Sequence, residues 1–165
     1  MSGNVSPKQA QQLLQTLEHA LGLSTRLNSM LEEEKNLLVE RQYSAYQLAL
    51  KDKTQLLVQL DQADHDRRKL MGAMGFNPDR NGFQDFLQLV PASWRDKFSA
   101  TWDQLVDSMN DCSRQNQVNG KILAHSQVAV ERLMLIIRGT GPQPSTYKSD
   151  GRRSLGASQR VLATA

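Results

Sequence analysis

The chain is poor in the residues that interrupt helices or staple small folds. Proline occurs only at positions 7, 78, 91, 142 and 144, and neither proline nor glycine occurs between residues 23 and 71. Between residues 92 and 138 the sole interruption is Gly120. Such stretches, filled with Leu, Gln, Glu, Lys and Ala, predict long helices. No run of β-branched or aromatic residues alternates with period two, which excludes a sheet as the organising element. A single cysteine, Cys112, excludes an intramolecular disulfide. Aromatics make up 5% against 39% hydrophobic residues, which favours a slender, leucine-lined core. The longest apolar run, LMLII at 133–137, is far short of the roughly 18 residues that suggest a bilayer span. No charged segment followed by an apolar one opens the chain. The expectation is a soluble, reduced, cytoplasmic protein with no membrane insertion.

Charge is informative by its location. The net charge is +3 over 165 residues. From position 138 on, Arg138, Lys148, Arg152, Arg153 and Arg160 stand against Asp150 alone, a local +4 that leaves −1 for residues 1–137. A near-neutral body argues against nucleic acid as the partner, and Arg152-Arg153 lacks the interleaved aromatics or basic amphipathic helix such a role needs.

Ser6 and Pro7 read as the N-cap and first position of a helix. Its apolar stripe runs Leu13, Leu17, Ala20, Leu27, Leu31, Leu38, with Ser24 and Glu34 in the remaining slots. A second stripe runs Tyr46, Ala49, Leu56, Leu60, Ala63, Leu70, Met74, with Lys53 and Arg67 on its track. The two stripes are out of phase across 39–45, which is either a stutter in one helix or a turn making a hairpin. The hairpin is preferred, because a single helix over 7–71 would run roughly 95 Å with one helix left to cover it. If Glu34 is buried, Lys53 or Arg67 should pair with it. The three glycines and two prolines of 72–91 mark a connector holding one short helix at 83–89.

Beyond Pro91, with Ser93 as the expected N-cap, a heptad seam steps by four and three. It reads Phe98, Trp102, Leu105, Met109, Cys112, Asn116, Asn119, Leu123, Ser126, Val130, Leu133, Ile137. Asn116 and Asn119 are therefore expected to face the core, where a buried Asn penalises every register that leaves it unpartnered. Gly120 costs about 1 kcal/mol relative to Ala in a helix and leaves room for another backbone. Asn116, Asn119 and Gly120 together read as a register device, with a polar notch for a partner as the alternative. From Gly139 the composition turns to Gly, Ser, Pro, Thr and Arg, too little apolar area to offset ordering. The fold class is thus all-α: an antiparallel three-helix, coiled-coil-like bundle over 1–138 with helices at about 7–39, 43–71 and 93–138, then a flexible basic tail at 139–165. An unpaired seam on the third helix leaves a homodimer open.

No constellation of groups converges for catalysis. His19, His65 and His125 fall on separate helices; Asp61 and His65, four apart, make half a metal site without a facing pair. Cys112 on the seam reads as a buried thiol rather than a nucleophile. His125 lacks the neighbouring Lys expected of a phosphotransfer histidine. Neither a P-loop nor a dinucleotide fingerprint is present. No enzyme, metal or cofactor is expected.

Three motifs carry a family resemblance. Asn116-x-x-Asn119-Gly120 followed by Ile122-Leu123, Lys53-x-x-Leu56-Leu57-x-x-Leu60 and Thr146-Tyr147-x-x-Asp150-Gly151 occur in the order and with gaps similar to those of FlgN-type flagellar export chaperones. The resemblance covers roughly residues 10–151. It implies a cytoplasmic, non-enzymatic chaperone that binds the C-terminal segments of the two hook-associated (hook–filament junction) proteins. Such a chaperone prevents their premature assembly and delivers them to the type III export apparatus, whose components are further partners. It also implies that cargo is held mainly by the C-terminal region, here Leu133, Ile137, Tyr147, Asp150 and Gly151. Leu155, Val161 and Leu162, beyond the resemblance, join them through faint amphipathic spacing behind Ser154. The alternative is a generic coiled-coil adaptor or assembly factor outside the flagellar system.

Overall fold

The structure, a computed structural model, describes residues 5–137, without the side chains of Leu133, Leu135, Ile136 and Ile137. Every regular element in that range is a helix: α1 (Pro7–Val39), α2 (Tyr43–Ala73), α3 (Arg80–Leu89) and α4 (Ala92–Ile137). By its contacts the chain divides after Ser126, and the described part of the second unit, from Gln127, is the closing stretch of α4.

Helix α1 starts in a capping box. Ser6 Oγ accepts from the Gln9 amide at 3.2 Å, Gln9 Oε1 accepts from the Ser6 amide at 3.3 Å, and Pro7 occupies the first helical position. All eight positions of its expected stripe are buried, Ser24 and Glu34 included. The end of α1 is a Schellman motif. The Gln42 amide donates to Leu37 O, the Arg41 amide donates to Leu38 O, and Arg41 takes the left-handed conformation at φ 59°. Residues 40–42 are therefore a turn, and the stutter reading is set aside. Helix α2 ends the same way, with Gly75 at φ 84° and the Phe76 amide donating to Met71 O.

The connector expected at 72–91 holds a longer helix than 83–89. Asp79 caps it, its Oδ1 accepting from the Gly82 amide at 2.7 Å, so α3 begins at Arg80. Gly82 is required there: a Cβ would stand 2.1 Å from Asn77 O. This segment is also central to the core. Phe76, Phe83, Phe86, Leu87 and Val90 pack with Leu13, Leu17, Met71, Met74 and Phe98. Phe86 meets Phe98 edge-on at 5.0 Å, and Phe83 stacks on Trp102 at 4.2 Å. All four phenylalanines of the chain lie in this one cluster, so the scarce aromatics are concentrated rather than thinly spread. Each buried ring contributes on the order of 1.5–3 kcal/mol.

Helix α4 begins at Ala92 rather than after a Ser93 cap, with the Trp94 and Arg95 amides donating to Pro91 O. Arg95 also reaches back: its Nε donates to Leu87 O at 2.9 Å and supplies one of the last carbonyls of α3 with a partner.

A second cluster (Ala20, Leu23, Leu27, Leu31, Leu56, Ala63, Cys112) continues along α1. Here α4 meets α1 largely through polar groups. Ser24 Oγ donates to Ser108 Oγ at 2.8 Å, Gln115 Nε2 donates to Asn28 Oδ1 at 2.9 Å, and Asn119 Nδ2 donates to Leu31 O at 2.8 Å. Such bonds net about 1 kcal/mol each, well below a buried phenyl ring. The aromatic cluster therefore anchors α4, while the polar ladder sets its register.

Candidate partner-binding surface

The polar residues singled out by sequence separate on folding. Asn119 is 2% exposed and its amide holds the Leu31 carbonyl of α1, while its Oδ1 has no partner among the described residues. Asn116 is exposed, not core-facing, and its Oδ1 accepts from Lys53 Nζ at 2.9 Å. Gly120 is exposed too, and a Cβ there would meet nothing within 4 Å, so no close backbone of the described residues explains it. Asn119 is thus the one member of the trio that faces the core.

The heptad assignment explains the discrepancy. Its positions 98, 102, 105, 112, 119 and 123 are buried or half-buried, but Met109 and Asn116 between them are exposed. Thr101, Ser108, Gln115 and Ile122 turn inward, while Met109 is 40% exposed and Asn116 lies outside. Three of those four inward residues are polar, so an apolar pattern cannot flag them. Ser108 and Gln115 hydrogen-bond to α1, which leaves Trp102, Leu105 and Met109 as the apolar edge of α4 toward α2.

That edge does not close against α2. A cavity of about 360 Å³ opens between the helices, with Leu17 and Ala20 on α1, Leu57, Leu60, Asp61, Ala63, Asp64 and Arg67 on α2, and Leu105 and Met109 on α4. Small residues cause it: Ala20 and Ala63 occupy seam positions where leucine would fill the space. Arg67 closes one side, donating to Asp64 at 2.9 Å and to Pro78 O, with its guanidinium 5.4 Å from the Trp102 ring centre. Burial by itself would raise the Asp64 pKa, but the hydrogen bonds and charges of Arg67 and Arg68 outweigh it and hold the carboxyl below its ordinary range.

Elsewhere the surface is chemically quiet. Among the described residues no three His, Cys, Asp or Glu gather as metal ligands, and no helix is long and apolar enough to cross a membrane. His19, His65 and His125 are all exposed. Cys112 is buried against Ser24 O, and burial, aided by Asp111, pushes its thiol pKa up, away from the reactive thiolate. From Gln127 on, Val128, Val130 and Met134 of α4 are exposed. Leu133 and Ile137 lie within α4, but their side chains, like Tyr147, Asp150, Gly151, Leu155, Val161 and Leu162, fall outside the described residues.

Among the described residues, then, long helices joined by polar contacts leave an apolar groove open and gather no set of metal ligands. The chain belongs to the FlgN family of flagellar export chaperones: the family model described as FlgN protein matches residues 1–154. Chaperones of this family bind hook-associated flagellar proteins. Comparisons with curated proteins and with solved structures returned no match.

Proposed function

We propose that this chain is a cytoplasmic chaperone that binds the C-terminal segments of the hook-associated proteins, blocks their premature assembly and hands them to the type III export apparatus. It acts by binding, not by catalysis. The observation that carries this reading is the family match over residues 1–154, which favours a flagellar role over a generic coiled-coil adaptor.

Residues 1–138 serve as the scaffold, an antiparallel three-helix bundle extended by α3. Two sets of pairings support that order. Contacts ascend together on α1 and α4, from Glu18–Lys97 through Ser24–Ser108 to Leu31–Asn119. On α2 they descend, with Lys53 at Asn116 and Arg67 at Trp102. Residues 139–165 form a separate basic segment that engages cargo together with the end of α4, through Leu133, Ile137, Tyr147, Asp150, Gly151, Leu155, Val161 and Leu162. Helix-against-helix anchoring at i, i+3, i+4 and i+7 is the mode that masks an amphipathic terminal segment.

The test is affinity capture of each hook-associated protein, with and without its C-terminal segment, on the full chain. Capture that requires the segment supports the reading. Equal capture of the truncated proteins, or none of either, overturns it.

A further inference from the structure

We propose that the groove between α2 and α4 is a second cargo contact, taking one amphipathic helix that presents an aliphatic ridge flanked by a Lys or Arg. The proposal rests on the cargo reading above and adds a site within residues 1–126 to the C-terminal segment.

The shape argues for a helix. Leu105 and Met109 are successive seam positions of α4, and Leu57 and Leu60 face them from α2, with Ala20 and Ala63 at the floor. Two helices that offer apolar residues to each other yet leave Met109 40% and Leu57 45% exposed are short of one partner helix. A ridge with i, i+3 or i+4 spacing would complete this packing as knobs enter holes. The cavity, about 360 Å³, lies at the small end of the roughly 300–1,000 Å³ range for ligand pockets. It suits aliphatic side chains from one helix better than a folded domain.

Charge selects among apolar helices. Two carboxylates line the groove. Asp64 is held by Arg67 and Arg68, whereas Asp61 is exposed and has no ion-pair partner among the described residues. Arg67, the one cation of the lining, is committed to Asp64, Pro78 O and the Trp102 ring. The groove therefore offers one unmatched negative charge beside an apolar trough, and a helix with a basic residue next to its ridge complements both.

The experiment is calorimetric titration of the full chain, as wild type, Asp61→Lys and Ala63→Met, with synthetic C-terminal segments of the hook-associated proteins. Circular dichroism checks the fold of each variant. Asp61→Lys is expected to weaken binding by at least about fivefold, beyond a typical exposed pair because attraction becomes repulsion. Reversing the complementary basic residue of the segment should restore it. Ala63→Met fills the trough from inside without changing surface charge, and is expected to weaken binding comparably. A control, Asp52→Lys on the exposed side of α2, should change nothing. Wild-type binding that neither groove variant alters overturns the groove while leaving the cargo reading intact. No binding to wild type overturns both. Self-association of the wild type that Asp61→Lys abolishes would assign the groove to a second copy and overturn the cargo occupant.

Discussion

Lys53 Nζ lies 2.9 Å from Glu34 Oε2 and 2.9 Å from Asn116 Oδ1, so one ammonium joins α2 to both α1 and α4. Glu34 is 5% exposed and sits where the α1 stripe would otherwise carry leucine. A buried charge of this kind is stabilising only while its partner remains, because an unpaired carboxylate keeps the whole desolvation cost. Lys53→Met is expected to destabilise the fold by about 2–4 kcal/mol. The double change Glu34→Leu with Lys53→Met should return to wild-type stability or above. Urea denaturation of the two singles and the double gives the coupling; additive losses would contradict the pairing.

Asn119 and Asn116 should part company under the same substitution. At position 119, leucine removes a buried acceptor that has no partner and adds apolar burial, at the loss of one hydrogen bond to Leu31 O. An orphaned buried polar group costs about 1–3 kcal/mol against about 1 kcal/mol for the bond, so Asn119→Leu should raise stability by about 1 kcal/mol. Asn116→Leu gains little burial and strips Lys53 of an acceptor, so no gain is expected. Midpoints in urea that rise equally for both would contradict the assignment of inside and outside.

Arg41 holds a left-handed conformation at φ 59° without being glycine. That conformation costs an L-residue roughly 1–2 kcal/mol, and glycine returns part of the gain through its freer unfolded chain. Arg41→Gly should therefore stabilise the hairpin by about 0.5–1 kcal/mol, read as a rise in thermal midpoint. A fall would show that the turn is held in some other way.

Asp64 gives the fold a pH dependence of known sign. Its folded-state pKa is held below its unfolded value, so its contribution is present above the unfolded pKa and is lost as pH falls through the folded one. With ordinary aspartate near 3.9, the difference in urea midpoint between wild type and Asp64→Asn should be constant above about pH 5 and shrink below about pH 4. A difference that stays constant into acid would contradict the role of Arg67 and Arg68.

The first helix was fully legible because both of its signals are local. Ser6-Pro7 fixes the start, and the stripe from Leu13 to Leu38 is buried position for position. The turn after Val39 was legible only as a phase break, since Arg41 does work usually left to glycine. Helix α3 was harder to read. Gly82 and the flanking Pro78 and Pro91 look like a connector, yet Asp79, Gly82 and the phenylalanines form a capped helix that closes the core. The face of α4 was misassigned at Met109 and Asn116 because Ser108 and Gln115 bind α1 by hydrogen bonds that no apolar pattern records. The groove was invisible for a related reason: it arises from the missing volume of Ala20 and Ala63, residues that count as apolar in any periodicity.

The central claim, that the C-terminal segment is the main grip on cargo, is tested most directly by removing residues 139–165. The full chain and the shortened chain are titrated calorimetrically, side by side, with the C-terminal segments of the hook-associated proteins, and circular dichroism follows α1 to α4. The account predicts saturable binding to the full chain and only weak residual binding, through the groove, to the shortened one, with the helices intact. Undiminished affinity in the shortened chain would contradict it.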